Sequence, residues 1–206
     1  RRTMKYLITI LVLFLQFTLT AQPKHPLTVD NMWAMKRVGS LDISPNGKTI
    51  VFSLSKYSME KDSGQTDLWL VNSDGSNLHV LKNSGKSESQ PKFTPDGKHI
   101  SFARGGQLWM CDLNGNNEVK LTNFYSGASG LVWANDGSKF LFVSKVYPDC
   151  ATQKCNKEKD IAKKNNPANV TVITELMFRN WDHWRGEKRS HLFLKYLNTN
   201  VILIKN

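Results

Sequence analysis

Serine and histidine are the residue types that could carry covalent chemistry here, and their spacing does not assemble a catalytic site. The string nearest to a G-x-S-x-G nucleophile elbow is Ser126-Gly-Ala-Ser-Gly130, whose spacing is wrong. That elbow works because a strained strand-to-helix turn presents the serine Oγ to a histidine base. Ser129 lies instead between two copies of a sequence repeat. None of the five histidines pairs with a nucleophile: His25, His79, His99, His183 and His191. No catalytic residue is therefore predicted.

The N-terminus has the composition of a secretory signal. A basic start is followed by residues 6–20, which carry no charge. That run is shorter than the roughly 20 apolar residues of a membrane-spanning helix. We expect a signal peptide over residues 1–21, cleaved after Ala21, in a protein exported to the periplasm or secreted. An uncleaved membrane anchor is the alternative, and membrane contact is expected only through this segment.

The three cysteines predict one local disulfide and no metal site. Cys150 and Cys155 enclose four residues in a polar loop, and an exported protein can form disulfides, so a bridge between them is predicted. Cys111 lies in an apolar strand pattern and is expected to be a buried small hydrophobe. A single C-x4-C pair without further cysteines or histidines at ligand spacing does not make a metal site. No metal or other cofactor is predicted.

The charge of the chain does not indicate nucleic-acid binding. The formal net charge is +11, but the lysines are spread along the sequence and are dense only over residues 154–164. Acidic residues interrupt that stretch at Glu158 and Asp160. A solvated surface is therefore predicted there, and no nucleic-acid partner is expected.

An internal repeat is the most informative feature of the sequence. Three segments align with one another: Asp42–Ser53, Lys92–Ala103 and Val132–Val143. A second unit is interleaved with them, a Leu-Trp pair followed by a turn ending in glycine: Leu68-Trp69 with Asp74-Gly75, and Leu108-Trp109 with Asn114-Gly115. The second and third copies are 40 residues apart, and a polar insertion over residues 56–65 lengthens the first spacing to 50.

A repeat of roughly 40 residues with short strands and tight turns is typical of a β-propeller blade. In Ser44-Pro45-Asn46-Gly47, proline fixes φ and glycine supplies the positive φ that the return strand requires. The sequence therefore predicts an all-β fold over residues 22–206, a partial propeller of about three to four blades of four-stranded antiparallel sheet. The signal helix precedes it.

Two further segments are interpreted around this repeat. Ser190–Leu194 resembles the Leu-Trp strand and is assigned to a fourth, partial unit, preceded by a loop insertion around residues 145–170. Upstream, Thr28 is predicted to cap a short helix from Val29 to Arg37.

Two longer motifs carry a family resemblance. They are Leu27-Thr-Val-Asp-Asn-Met-Trp-Ala-Met-Lys-Arg-Val-Gly39, and Phe178-Arg-Asn-Trp-Asp-His-Trp184 followed by Arg189-Ser-His-Leu-Phe193. Over residues 27–198 the chain resembles the propeller part of dipeptidyl-peptidase 5 and acylaminoacyl-peptidase type enzymes, serine peptidases of the prolyl-oligopeptidase family. The resemblance implies that the propeller precedes an α/β-hydrolase domain, which carries a Ser, an Asp and a His. It also implies that the propeller limits access to the active site and helps to hold the amino end of short peptides.

The same resemblance implies a binding role for the segment around Trp181. A carboxylate, Glu175 or Asp182, would pair with the ammonium of a peptide, and Trp181 or Trp184 would cover it by a cation–π contact. Arg179 belongs to the same expected site for the amino end of a peptide. The alternative is that these aromatic residues pack between blades and the charges cap strand ends.

Two functions follow from the sequence. The first is the substrate-gating propeller of an exported serine peptidase that releases dipeptides or acyl-amino acids from oligopeptides. Its partners would be peptide substrates and a C-terminal hydrolase domain that is missing here, so this chain alone is expected to be inactive. The alternative is a non-catalytic, TolB-like envelope propeller that binds a protein partner.

The end of the sequence predicts incomplete closure. The blade pattern fails after Leu197, and a truncation is expected. Propellers have roughly four to eight blades and close by pairing the last blade with the first. About four blades of this family are not expected to close, so the isolated chain is expected to expose apolar faces and to be poorly soluble or an assembly.

Overall fold

In the computed structural model the chain forms two compact units, Arg1–Ala34 and Met35–Asn206. The structure describes residues 26–168, 170, 179–181, 183–184, 186–197 and 201–203, so the expected signal peptide lies outside the described residues. In the first unit, helix α1 spans Val29–Ala34. Thr28 Oγ1 accepts a hydrogen bond from Asn31 N–H at 3.2 Å, as the predicted cap requires. The helix ends before Arg37, because Arg37 begins a strand and pairs with Ser55.

The second unit contains three four-stranded antiparallel sheets, which confirm the predicted partial propeller. Blade 1 comprises β1 (Arg37–Ile43), β2 (Thr49–Ser58), β3 (Ser63–Asn72) and β4 (His79–Lys82). Blade 2 comprises β5 (Glu88–Phe93), β6 (His99–Arg104), β7 (Gln107–Asp112) and β8 (Val119–Lys120). Blade 3 comprises β9 (Ser129–Trp133), β10 (Lys139–Val146), β13 (Arg189–Tyr196) and β14 (Val201–Leu203). Helix α2 (Gln153–Lys164) and a small hairpin of β11 (Arg179–Asn180) and β12 (His183–Trp184) lie between β10 and β13 in the sequence.

The strand register shows which positions of the three blades are equivalent. The residue opposite the central phenylalanine of the second strand is Trp69 in blade 1, Trp109 in blade 2 and Phe193 in blade 3. The assignment of Ser190–Leu194 to a fourth unit is therefore wrong, since this segment is the third strand of blade 3. The error arose because more than forty residues separate β10 from β13 in the sequence. A sequence pattern does not show that two strands so far apart along the chain pair with each other.

The turn between the first two strands has the predicted chemistry in every blade. Gly47, Gly97 and Gly137 all have positive φ, at 72°, 68° and 69°. Each donates its N–H to the carbonyl oxygen three residues earlier, at 2.8, 2.8 and 2.9 Å. The repeat of Pro/Asn-x-Gly turns in the sequence therefore corresponds to a repeat in backbone conformation.

Each pair of neighbouring blades encloses an apolar core. Between blades 1 and 2 the buried cluster consists of Val51, Leu68, Leu70, Leu81, Phe93, Ile100, Phe102 and Cys111. Between blades 2 and 3 it consists of Leu108, Leu121, Phe124, Ala128, Leu131, Phe140, Phe142, Val146 and Phe193. Each fully buried large side chain contributes roughly 1.5–3 kcal/mol. Cys111 is buried, as predicted.

The segment expected to be a loop insertion contains helix α2 and the Cys150–Cys155 disulfide. Periodicity could not predict this helix, because its only large apolar residue, Ile161, is exposed. A polar side chain fixes the helix instead. Asn156 is buried and accepts a hydrogen bond from Tyr147 N–H at 2.9 Å, and its own amide donates to Thr152 O. Within the described ranges, no helix is long and apolar enough to cross a membrane.

Candidate functional site

One end of the blades carries the longest connection, the one between the second and third strands of blade 3. In a four-stranded antiparallel blade, the connection from the second to the third strand lies at the same end as the connection to the next blade. This end, here called the loop end, carries residues 59–62 in blade 1, residues 105–106 in blade 2 and residues 147–188 in blade 3. We call residues 147–188 the excursion. Because binding residues are commonly carried by loops on a rigid scaffold, the loop end is the candidate site.

All four residues that the sequence assigned to peptide binding fall in the excursion. Arg179 and Trp181 lie in the β11–β12 hairpin, and both are exposed. Trp181 is 91% exposed, so it does not pack between blades. Glu175 and Asp182 lie outside the described residues. The structure thus brings Arg179 and Trp181 together on one hairpin, and the pairing of a carboxylate with a peptide ammonium stays a prediction.

The backbone of Trp181 is in an unusual conformation. Its φ is +58°, in the left-handed region that bulky residues rarely adopt. Such a conformation costs on the order of 1 kcal/mol or more and tends to occur at functional positions. The exposed indole can cover a cation, and the Arg179 guanidinium two residues away can donate hydrogen bonds to carbonyl or carboxylate oxygens.

An ionic cluster joins the two ends of the excursion. Tyr147 Oη donates to Asp160 Oδ1 at 3.0 Å, and Lys188 Nζ donates to Asp160 Oδ2 at 2.6 Å. Lys163 also pairs with Glu187 at 3.1 Å. Because Tyr147 follows β10 and Lys188 precedes β13, these contacts hold the base of the excursion closed against blade 3.

Burial and hydrogen bonding shift two pKa values in this cluster. Desolvation, followed by the Asp160 carboxylate, raises the pKa of Tyr147 to about 12. Desolvation acts to raise the pKa of Asp160, but the hydrogen bonds from Lys188 and Tyr147 outweigh it and lower that pKa below its ordinary value. Tyr147 is therefore a neutral donor and Asp160 an ionised acceptor at neutral pH, which suits an anchor rather than an acid–base pair.

A second ionic network links blades 1 and 2. Arg104 forms a bidentate pair with Glu118, with Nη1–Oε1 at 3.1 Å, and its guanidinium lies 4.3 Å from the centre of the Trp109 ring. Lys82 of blade 1 contacts the same Glu118 carboxylate. The fully buried Glu88 lies 3.6 Å from Arg104. Two anions face two cations, so the network is balanced and binds the blades together.

Sequence reasoning missed this network, although the repeat contained a signal for it. The cross-strand pair Val38–Leu54 in blade 1 corresponds to the pair Glu88–Arg104 in blade 2. An apolar pair replaced by a pair of opposite charges at one repeat position indicates a buried ion pair. No comparable sequence signal indicated the ionic cluster of Tyr147, Asp160 and Lys188, because the excursion has no counterpart in the other blades.

The structure contains no nucleophile elbow at Ser129. This residue lies on strand β9 opposite Val143, not on a turn that leads into a helix. Within the part of the chain that the structure describes, no group of three or more His, Cys, Asp or Glu side chains could hold a metal ion.

Comparisons with known proteins agree on one architecture. Residues 44–136 match the family described as the dipeptidyl peptidase IV (DPP IV) N-terminal region. The chain is 28% identical over 175 residues to dipeptidyl-peptidase 5 of Porphyromonas endodontalis, which covers 83% of this chain and 24% of that protein. It is 30% identical over 162 residues to dipeptidyl-peptidase 5 of Porphyromonas gingivalis, covering 77% of this chain and 23% of that protein.

A solved structure shows the same fold. The acylaminoacyl peptidase of Pyrococcus horikoshii superposes with a TM-score of 0.61 at 12% identity, over 84% of this chain and 26% of that one. At such low identity the likeness concerns the fold alone. This chain spans about a quarter of the length of the curated relatives that it matches.

Proposed function

The chain belongs to the N-terminal propeller part of the prolyl-oligopeptidase family of peptidases, and we propose that it is the substrate-gating part of an exported serine peptidase. The observation that carries the proposal is the match to dipeptidyl-peptidase 5 along 83% of the chain. The whole protein would release dipeptides or acyl-amino acids from oligopeptides. Its serine, histidine and aspartate would lie in an α/β-hydrolase domain outside this chain.

In this proposal the chain selects and orients the peptide and does not cleave it. The blades would restrict access to the active site, and the excursion would present Trp181 and Arg179 to the amino end of the peptide. The indole would cover the terminal ammonium, while Glu175 or Asp182 would neutralise its charge. Holding that end fixed places the scissile bond at a set distance from the nucleophile, which lowers the entropic part of the barrier.

The experiment is a domain graft. Residues 26–206 replace the matching propeller segment of the Porphyromonas endodontalis relative, and the graft is assayed with dipeptidyl chromogenic substrates. We expect turnover by the graft and none by this chain alone. The matched control is the graft with the serine nucleophile of the hydrolase domain changed to alanine, which is expected to be inactive.

Two outcomes would contradict the proposal. Turnover by the chain alone that survives purification would place catalysis within these residues. A folded, soluble graft that turns over no dipeptidyl substrate would favour a non-catalytic propeller that binds a protein partner. Folding of the graft is checked by its cooperative thermal transition, so that a misfolded graft is not counted as either outcome.

We further propose that the protein is exported. The basic start with the uncharged residues 6–20, and a disulfide between Cys150 and Cys155, support this. The test of export is a fusion of residues 1–30 to a reporter enzyme. This reporter is active only after oxidation outside the cytoplasm. An active reporter is expected, and loss of reporter activity on changing Leu11 and Leu13 to arginine is the control. An inactive wild-type fusion contradicts export.

A further inference from the structure

The two halves of helix α2 are held in different ways. In the N-terminal half, Gln153 Oε1 accepts a hydrogen bond from Ser126 N–H at 3.1 Å, and Asn156 Oδ1 accepts one from Tyr147 N–H at 2.9 Å. The disulfide joins this half to Cys150 as well. The C-terminal half, after Asn156, has no buried residue. Its contacts with the chain just before β13 are between charged side chains.

Two ion pairs join this C-terminal half to the two residues that precede β13. Asp160 and Lys163 are three residues apart and therefore lie on one face of the helix. They bind consecutive residues, since Lys188 Nζ lies 2.6 Å from Asp160 Oδ2 and Lys163 Nζ lies 3.1 Å from Glu187 Oε1. The side chains of Lys163 and Glu187 are largely exposed, and such pairs contribute little. The less exposed pair of Asp160 and Lys188 is the stronger connection.

Tyr147 connects this ion pair to blade 3. Its side chain is buried, and its hydroxyl donates to Asp160 Oδ1 at 3.0 Å. The ammonium groups of Lys159 and Lys188 lie 5.1 and 5.2 Å from the centre of its ring, within cation–π distance. Tyr125, in the connection between blades 2 and 3, interacts with the same carboxylate. Asp160 therefore joins α2 to the end of β10, to the start of β13 and to the connection from blade 2.

The hairpin that carries Arg179 and Trp181 lies within the segment that these contacts close. Helix α2 ends at Lys164 and β13 begins at Arg189, so residues 165–188 connect the two. The hairpin has two cross-strand pairs, and a two-stranded hairpin is at best marginally stable by itself in water. Its position therefore depends on where the two ends of the connecting segment are held.

We propose that Asp160 is a positioning residue for the site that binds the amino end of the peptide. By holding the C-terminal half of α2 and the start of β13 against Tyr147, it keeps the hairpin where Trp181 and Arg179 meet the peptide. Asp160 itself touches neither the peptide nor the scissile bond in this role. The proposal rests on the proposed function, because it concerns the same site.

This role has a specific kinetic signature. When the contacts of Asp160 are lost, the hairpin occupies its binding position in a fraction of the molecules, and the apparent affinity for the peptide falls by that fraction. A peptide that has bound is held as before, so kcat changes little. The loss is confined to substrates with a free amino end, because that end is what the hairpin contacts.

The kinetic test uses the graft with the Porphyromonas endodontalis relative. Asp160→Asn keeps the shape of the side chain and removes its charge. It is expected to raise KM for a dipeptidyl substrate with a free amino end about three- to tenfold, which corresponds to a hairpin in place in roughly one molecule in three to ten. KM for a substrate whose amino terminus is blocked should not change.

Two further variants complete the kinetic test. Lys188→Met breaks the connection to β13 but leaves the Tyr147 hydroxyl its acceptor, so it should raise KM in the same way and replaces Asp160→Asn if that variant does not fold. Asp149→Asn is the matched control. Asp149 also pairs with a lysine of α2, Lys159, but it precedes the helix and makes no connection to β13. Its KM is expected to equal that of the graft.

Hydrogen exchange in the whole chain provides a measurement that does not depend on activity. The amides of residues 179–184 are expected to exchange faster in Asp160→Asn than in the wild type, and at the wild-type rate in Asp149→Asn. Unchanged exchange in Asp160→Asn would overturn the proposal. Faster exchange without a change in KM would overturn the role in peptide binding.

The failure of this proposal can be told apart from the failure of the proposed function. A KM that rises equally for free and blocked substrates would indicate a general effect on the fold and would overturn the positioning role of Asp160. If the unmodified graft has no turnover, the proposed function fails. The exchange measurement alone then decides whether Asp160 holds the hairpin.

Discussion

The side chain of Gln90 accepts a hydrogen bond from the backbone N–H of Gly130, with 2.8 Å between Oε1 and N. One blade earlier, Ser40 Oγ accepts from Gln90 N–H at 3.0 Å. Ser40, Gln90 and Gly130 occupy one position of the repeat, beside the irregularity in the first strand of each blade. Each first strand is thus tied to the next by a side chain that satisfies a backbone donor left unpaired within the sheet.

Removing the Gln90 side-chain acceptor should weaken the interface between blades 2 and 3. Gln90→Ala is expected to lower the free energy of unfolding by about 1 kcal/mol, since the Gly130 N–H then loses its partner. Gln90→Gly lacks the same acceptor, but it relieves the positive φ of 54° at this residue and should cost less. Urea unfolding compares the two variants, and an alanine variant as stable as the wild type would contradict this role.

The contact between Gly115 and Leu81 tests how closely blades 1 and 2 pack. Gly115 has a φ of +76°, and a Cβ there would overlap the carbonyl oxygen of Leu81. Gly85 has nearly the same φ, +75°, with nothing within 4 Å of its Cβ position. Gly85→Ala is expected to lower the free energy of unfolding by about 1 kcal/mol through backbone strain alone. Gly115→Ala is expected to lower it by about 1–3 kcal/mol more, because the added Cβ overpacks the contact with Leu81.

The informative quantity is the difference in the free energy of unfolding between the two alanine variants. Backbone strain is matched in the pair, so the extra loss measured by thermal or urea unfolding reports the inter-blade clash. Equal costs for both variants would mean that the Asn114-Gly115 turn can move away from Leu81 freely. That result would contradict a tight seam at the outer strands.

Stability in acid should depend on Glu118. The hydrogen bond from Arg104, opposed by desolvation and reinforced by Lys82, lowers the pKa of Glu118 from 4.5 to about 2. A lowered pKa in the folded state stabilises the fold above the unfolded value, and this contribution is lost as the pH falls from about 4.5 to about 2. Glu118→Gln should remove on the order of 2 kcal/mol at neutral pH and flatten the acid limb of the stability curve.

Glu158→Gln is the matched control for this acid limb. Glu158 also has a lysine partner, Lys154, but both side chains are largely exposed, and such pairs contribute little. Its pH dependence of unfolding should follow the wild type between pH 4.5 and 2. A Glu118→Gln variant whose acid limb stays as steep as that of the wild type would show that the network with Arg104 does not control acid stability.

Much of the fold was predictable because it repeats. Turn glycines such as Gly47 and Gly97, and the Leu-Trp strands, recur at fixed offsets, and local turn chemistry is enough to place them. The third strand of blade 3 was assigned wrongly because strand pairing depends on hydrogen bonds between residues distant in sequence. Helix α2 was missed because a buried asparagine, Asn156, and a disulfide hold it, and neither produces an apolar period.

The candidate site was less predictable than the fold. Sequence placed Arg179 and Trp181 in one segment, and the structure puts both on one hairpin. The closing of the base of the excursion by Asp160 could not be foreseen, since its partners Tyr147 and Lys188 lie 13 and 28 residues away in the sequence. Ionic contacts of this kind are decided by tertiary geometry, not by local pattern.

The disulfide should stabilise the excursion locally. In the chain-entropy description, a loop as short as that between Cys150 and Cys155 contributes about 2 kcal/mol. Changing both residues to serine is expected to speed amide hydrogen exchange over residues 147–164 while the strands of blades 1 and 2 keep their protection. A reductant should reproduce the effect in the wild type and do nothing to the double variant. Unchanged exchange in the double variant would contradict this.

The β11–β12 hairpin should govern affinity for the amino end of a peptide. In the graft with the Porphyromonas endodontalis relative, Trp181→Ala is expected to raise KM about three- to tenfold with kcat little changed, since a partly exposed cation–π contact is worth roughly 0.5–1 kcal/mol or somewhat more. Glu175→Gln and Asp182→Asn should raise KM further if their carboxylates meet the ammonium. With a substrate whose amino terminus is blocked, the graft and its variants should have the same KM.

Tyr57→Ala is the matched control for Trp181→Ala, because Tyr57 is an exposed aromatic residue on β2 of blade 1, outside the excursion. It should leave KM for both substrates unchanged. Since Trp181 buries little of its own surface, its removal is also expected to leave the melting temperature within about 1 °C of the unmodified graft. A KM that is the same for Trp181→Ala, Glu175→Gln and Asp182→Asn as for the graft would rule out this hairpin as the amino-end site.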